Sequence, residues 1–241
     1  MDRRTAEGAL LIDLGGRWTE YRFARRRRRT IGISVDASGL TVAAPLRAPW
    51  REVEAFLRLK ERWIVAKLEE WSRVPPPAVL RGESGESLPL FGQPVTLEVR
   101  SGRRAVQRHP ERLLLSAPAR ERAARVLIAW LKAQALVALA PRAAHFAARL
   151  AVTPRSVSLS NARTQWGACT EGGCIRLSWR LVHLEPRLAD YVVAHEVAHL
   201  VELNHSKRFW NVLAGLYPDW RDARHRLELA GASLPIIQGQ P

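Results

Sequence analysis

The sequence predicts an α+β protein, and three observations carry the prediction. Short alternating runs separated by turn residues fill the early part of the chain. A long helical stretch of Ala, Leu and Arg begins near Ala119. Further on, a helix that is apolar on most sides contains His195-Glu196-Val197-Ala198-His199.

The first strands are expected at Trp18 to Phe23, Thr30 to Val35 and Leu40 to Ala44, with turn residues at Asp36 to Gly39, and they read as a β-meander. From Pro49 to Trp71 the apolar residues Val53, Phe56, Leu57, Leu59, Trp63, Ile64 and Leu68 recur at a helical period, with Pro49 at the start. Trp63 and Trp71 are assigned to the core. Arg73 to Gly85, with Pro75-Pro76-Pro77, reads as a loop or linker. Strands near Pro94 to Val99 and Arg112 to Ser116 complete a β-rich N-terminal region with one long helix, residues 1–118.

Residues 119–241 form the expected second region. Ala119 to Leu150 is helical with a possible break at Pro141, and the strand Ser156 to Ser160 follows. Asn161 to Trp166 and Cys174 to Trp179 are expected to pair as a β-hairpin just ahead of the histidine helix, and the tail from Ile236 to Pro241 is expected to be loose. An edge beside such a helix can take up an extended peptide as an added strand. That makes Arg163 and Trp166 candidate substrate-binding residues.

The histidine helix carries the chemistry. Positions i and i+4 lie a turn apart on one face, so His195 and His199 can bind one ion together. Glu196, one residue along, can reach a water on that ion without being a ligand, which suits a general base. Pro186 fits the first turn, and Leu188, Tyr191, Val192, Val193, Val197, Leu200, Val201 and Leu203 make the surroundings apolar. Two histidines and a glutamate are costly to bury there unpaired, so a metal partner is the economical reading.

His205 is the nearest candidate third ligand. It lies too far along the axis to join the others on a continuous helix, so the chain must turn back, with Asn204 in the left-handed conformation and Ser206 capping a new helix through Phe209, Trp210, Val212 and Leu213. Asp219, Asp222 and Glu228 are the alternatives for the third position. The spacing matches the long metzincin motif, but Glu202 stands where that motif has Gly, and Met1, the only methionine, cannot form a Met-turn.

The segments Thr164-Gln165-Trp166-Gly167-Ala168-Cys169, Ile175 to Leu181, Asp190 to Glu196, Asn204-His205-Ser206 and Phe209-Trp210 together resemble the YgjP-like metallopeptidase family, related to the minigluzincin and SprT-like zinc peptidases. The likeness runs from about Tyr21 to about Leu229. It implies a zincin-like catalytic region, with His195, His199 and His205 as zinc ligands and Glu196 as the catalytic glutamate. The family usually has Arg at the position of Gln165, Ser at Ala168 and Asn at Ser178. These departures leave the zinc residues untouched, and no substrate contact is carried over to the first two positions.

Composition sets wider bounds. A chain of 241 residues with 47% hydrophobic content can bury a substantial core. No uninterrupted apolar run approaches the roughly 20 residues of a membrane span, and the start shows no secretion signal, so a cytoplasmic location and no membrane partner are expected. Cys169 and Cys174 flank a turn and are placed facing each other across the hairpin as free thiols. The net charge of +15 points to a nucleic-acid or nucleotide partner, most densely at Arg22 and Arg25 to Arg29. Yet among the 38 basic residues only Lys60, Lys67, Lys132 and Lys207 are lysines, a bias that composition explains as well as a ligand does.

The expected function is therefore a zinc-dependent hydrolase, foremost a metallopeptidase acting on a peptide or protein with Glu196 as base. One alternative keeps the zinc and hydrolyses a nucleotide or other phosphorylated small molecule; a second is a nucleic-acid-binding module with structural zinc.

Overall fold

The computed structural model describes residues 3–4 and 10–239. The chain falls into two compact units, Met1–Pro76 and Pro77–Pro241.

In the first unit, β1 (Arg3–Arg4), β2 (Leu10–Leu14), β3 (Arg17–Arg26), β4 (Gly32–Asp36) and β5 (Gly39–Pro45) form one sheet in the order β1-β2-β3-β5-β4. Gly15 and Gly16, both left-handed, make the tight turn between β2 and β3. β4 and β5 pair as an antiparallel hairpin, but β3 lies parallel to β5, Tyr21 opposite Leu40, so the expected meander does not form. The reason lies in burial. β5 buries Leu40, Val42 and Ala44 and takes an inner place, whereas β4 buries Val35 alone and takes the edge.

The expected single helix is two, α1 (Trp50–Leu59) and α2 (Glu61–Ser72), hinged at Lys60. Ile64 and Trp71, at i and i+7, set the inner stripe of α2. Trp63 lies one residue off that stripe, about 100° around the helix, and is 45% exposed rather than core; Trp71 is buried. Two arginines of β3 bond within their own unit: Arg22 bonds to Ser38 and to Thr41 Oγ1 (3.0 Å), and Arg25 Nη1 donates to the carbonyls of Pro45, Leu46 and Ala48 at 3.1, 3.1 and 2.9 Å.

In the second unit, the short strand β6 (Val79–Leu80) precedes β7 (Ser87–Leu90), β8 (Gln93–Ser101), β9 (Ala105–Arg108) and β10 (Arg112–Ala117). The last four form a sheet ordered β7-β8-β10-β9, in which β10 runs parallel to β8. Helix α3 (Ala123–Arg149) follows, then a three-stranded sheet in the order β11-β13-β12, from β11 (Ser156–Ser160), β12 (Gly167–Cys169) and β13 (Cys174–Ser178). The helices α4 (Pro186–Ala198), α5 (Lys207–Leu216) and α6 (Trp220–Ala232) come next, and β14 (Ile236–Ile237) returns to pair with β6, so part of the supposedly loose tail is a strand.

The anticipated boundary at 118/119 is not where the units part. Leu88, Leu90, Val95, Leu97, Leu113 and Leu115 share one buried cluster with α3 and α4, because the apolar face of that sheet is covered by helices that come later in the chain. The division falls instead in the triproline run.

α3 passes unbroken through Pro141. The hydrogen bond that proline forfeits is to the Val137 carbonyl, on a face where Val137 is 72% exposed and water can serve. Length and composition alone would let α3 cross a membrane. Its stripe Ala123, Leu127, Leu131, Ala135, Leu139 and Ala143 is instead buried in the shared core, as in the central helix of a globular unit.

Candidate metal centre

Pro186 opens α4 at its first turn, as its fixed φ favours, and the helix ends with His199 at the C-cap. The reversal that follows needs no left-handed Asn204. Among described non-glycine residues only Phe91 and Ala151 have positive φ. The turn is closed by Glu202 N–H and Val201 N–H on the Ala198 carbonyl (3.1 and 3.0 Å) and by Ser206 N–H on the Asn204 carbonyl (2.7 Å). Ser206 then caps α5, its hydroxyl accepting from Phe209 N–H at 3.3 Å.

This path brings His205 back to the helix. One donor atom from each of His195, His199 and His205 lies within 4.8 Å of the others. Nε2 of His195 and Nε2 of His205 face each other at 3.0 Å. His199 Nδ1–H donates to the Glu202 carbonyl at 3.0 Å, which leaves its Nε2 as the available donor and fixes the ring. Trp210 Nε1–H holds the His205 carbonyl at 3.1 Å, and the Phe209 ring stacks on His199 with centroids 4.5 Å apart. Burial, and then the neighbouring imidazoles, push His195 down to about 3, so it stays neutral with a free lone pair. Burial also lowers His199. Asp219, Asp222 and Glu228 do not join this group of donors.

The Glu196 side chain lies against β12. It is 6% exposed, and burial pushes its carboxyl up to about 7. A Cβ on Gly167 would sit 2.5 Å from Glu196 Cγ, so the outer strand approaches the carboxylate as closely as glycine alone allows. Cys169, on the same strand, has its thiol pushed up to about 11 by burial, then by Glu196 and Cys174, and stays protonated. Both cysteines are free, but they are not cross-strand partners: Cys169 lies opposite Ile175, and Cys174 opposite Ser156 of the neighbouring strand.

The hairpin ahead of α4 is shorter than expected. Residues 161–166 are irregular, and only Gly167–Cys169 pairs with β13, as an outer strand. Trp166 and Gly167 line a cleft of about 370 Å³ beside His195 and Glu196. Arg163 does not; it lines an adjoining pocket on the far side of Trp166. Tyr191, Arg224 and Glu228 also line the cleft. The sequence offers Glu228 only as an alternative metal ligand and Tyr191 only as part of the apolar surroundings; Arg224 goes unsignalled, as one of 38 basic residues with nothing local in α6 to distinguish it.

Three imidazoles and a buried glutamate beside an outer strand make this a metallopeptidase-type domain. The family model for the YgjP-like metallopeptidase domain matches residues 29–230, and the chain belongs to that family. Among solved structures, the metallopeptidase zymogen abylysin of Pyrococcus abyssi is similar at 19% identity, with a TM-score of 0.37, over 41% of this chain and 99% of that one. No curated protein sequence matches the chain.

Proposed function

We propose that the chain is a zinc-dependent peptidase held together chemically by His195, His199 and His205, with Glu196 as general base. The convergence of three imidazole donors within 4.8 Å carries the reading. An all-imidazole set suits zinc, and the orientation of His199 by the Glu202 carbonyl is the kind of outer support that such ligands need. With three protein donors a coordination position stays open, which fits catalysis better than a closed structural site. Bound there, zinc supplies Lewis acidity toward a water and toward the substrate carbonyl.

The chain's own residues do the rest. Glu196 takes a proton from the attacking water and returns it to the leaving amine; a carboxyl that burial holds near neutrality suits both transfers. β12 offers its outer backbone edge to an extended peptide, which brings the scissile bond alongside Glu196. A cytoplasmic setting belongs to the same proposal, since the two unlinked thiols suit a reducing compartment.

The test pairs metal content with turnover. Native protein and Glu196→Gln are expected to bind one zinc each, while only the native protein cleaves a mixed peptide library read by mass spectrometry. Undiminished cleavage by Glu196→Gln would remove the proposed base, and a native protein that holds no zinc would remove the metal.

A further inference from the structure

The cleft beside Glu196 holds two polar groups that water activation by the glutamate does not use. Tyr191 and His195 stand at i and i+4 on α4, so the phenol shares the face that presents the metal donors, its ring centroid 6.1 Å from that of His195. Tyr191 is only 4% exposed and lines the cleft, yet among the described residues its hydroxyl has no hydrogen-bond partner. A hydroxyl so placed is costly to leave unpaired, and the partner it lacks has to come from the cleft.

Arg224 reaches the same cleft from α6. Its guanidinium carbon lies 6.0 Å from the centre of the Trp210 ring, and that indole holds the His205 carbonyl, so the charge is stationed beside the histidine cluster. Glu228, one helical turn on, lines the cleft too, but no ion pair joins it to Arg224, and Arg224 makes no hydrogen bond among the described residues. Burial raises the Tyr191 phenol, Arg224 offsets part of the rise and Glu196 adds to it; the hydroxyl stays a protonated donor within electrostatic reach of both charges.

A cation and a hydroxyl donor, both without partners beside the general base, suit a negative charge that develops only during reaction. We infer that Tyr191 and Arg224 form an oxyanion site: the Tyr191 hydroxyl donates to the scissile carbonyl oxygen as it becomes negative, and Arg224 supplies the adjacent positive charge. This rests on the peptidase reading. As the water oxygen bonds to the carbonyl carbon, Glu196 takes the water proton and the C=O π pair moves onto the oxygen that Tyr191 and Arg224 meet. That pair re-forms the C=O bond as the C–N bond breaks, and the proton on Glu196 passes to the leaving amine.

Both groups act on the reacting state more than on the bound substrate, so the test separates kcat from KM. In zinc-loaded protein, Tyr191→Phe is expected to lower kcat on the order of 10²-fold with KM within about twofold, and Arg224→Gln to lower it by about tenfold, with Arg224→Lys recovering part. Zinc content and melting temperature are measured on every variant; Arg224 is exposed, so its variants keep the test valid should Tyr191→Phe prove unstable. Arg221→Gln removes a charge that lies over Trp220 on the same helix, and should leave kcat unchanged, which excludes an effect of net charge. Calorimetry reads the site without turnover. A phosphinic analogue of the best-cleaved peptide, or of hexa-alanine if none is cleaved, mimics the tetrahedral anion and should bind Tyr191→Phe and Arg224→Gln on the order of tenfold more weakly than the native protein. Undiminished kcat in either variant, a loss confined to KM, or equal affinity for the phosphinic peptide would overturn the oxyanion site and leave the peptidase standing. A native protein that cleaves no peptide but binds the phosphinic peptide through Tyr191 would keep the anion site and discard the peptidase; one that does neither removes both.

Discussion

Helices α2 and α4 both break the rule that apolar residues go inside, and they break it in opposite directions. α2 leaves Trp63 nearly half exposed, while α4 buries Glu196 and largely covers His199, with His195 half-buried. The exposed tryptophan has a cheap explanation: it lies off the inner stripe, and single apolar residues on a surface are ordinary. The buried polar groups have none of that kind, because an unpaired polar group in a core costs about 1–3 kcal/mol or more. The two histidines converge with the His205 ring from another element, and Glu196 lies on the same helix between them. Departures from burial rules therefore signal chemistry when the residues meet, and little when they stand alone.

That contrast can be broken experimentally. Glu196→Gln should lower kcat on the order of 10³-fold, since general-base assistance contributes at that scale, with circular dichroism unchanged. His205→Ala should weaken zinc binding by more than the roughly 100-fold typical of outer-shell changes, measured by competition with a chelator. Full retention of affinity would move the third ligand elsewhere.

A third expectation uses a buried histidine outside the metal centre. His183 is 2% exposed, its Nδ1–H donating to the Pro89 carbonyl at 2.8 Å, and burial pushes its pKa down to about 4. The folded pKa lies below the unfolded value of about 6.5, so the unfolded chain binds the proton first. The stabilising contribution is complete above about pH 6.5 and is lost progressively as pH falls to about 4, by about 3 kcal/mol at most. Denaturant titrations across that window should show a shallower pH dependence in His183→Asn than in the native protein.

Gly167→Ala places a methyl against the Glu196 side chain, and a clash of that kind costs about 1–3 kcal/mol. Either stability or kcat should fall accordingly; full activity and an unchanged melting temperature would mean that β12 does not press on the glutamate. The smallest effect is expected at Trp63→Gln, within about 0.5 kcal/mol, as for an ordinary surface change. A loss of several kcal/mol there would erase the contrast with α4.

The histidine helix was legible because its information is local. The i, i+4 spacing of His195 and His199, Pro186 at the first turn and Ser206 as a cap each depend on residues within a few positions, where helical geometry leaves little choice. Trp63 shows the limit of the same method: an apolar residue near a helical stripe is not thereby on it. The turn through Asn204 was anticipated in outcome but not in mechanism, since backbone hydrogen bonds to Ala198 close it without the left-handed residue.

By itself the sequence determined the α+β character, the helix that presents His195, Glu196 and His199, and the cap that begins α5. Periodicity records which face of an element is apolar, and caps record where it starts. Only the tertiary structure decided that β5 rather than β4 lies beside β3, that the sheet from Ser87 to Ala117 shares a core with α3, that Gly167 closes on Glu196, and that Arg163 lines an adjoining pocket rather than the cleft itself. Those outcomes join residues far apart in the chain. They follow from which apolar faces cover one another best, and no local pattern encodes that choice.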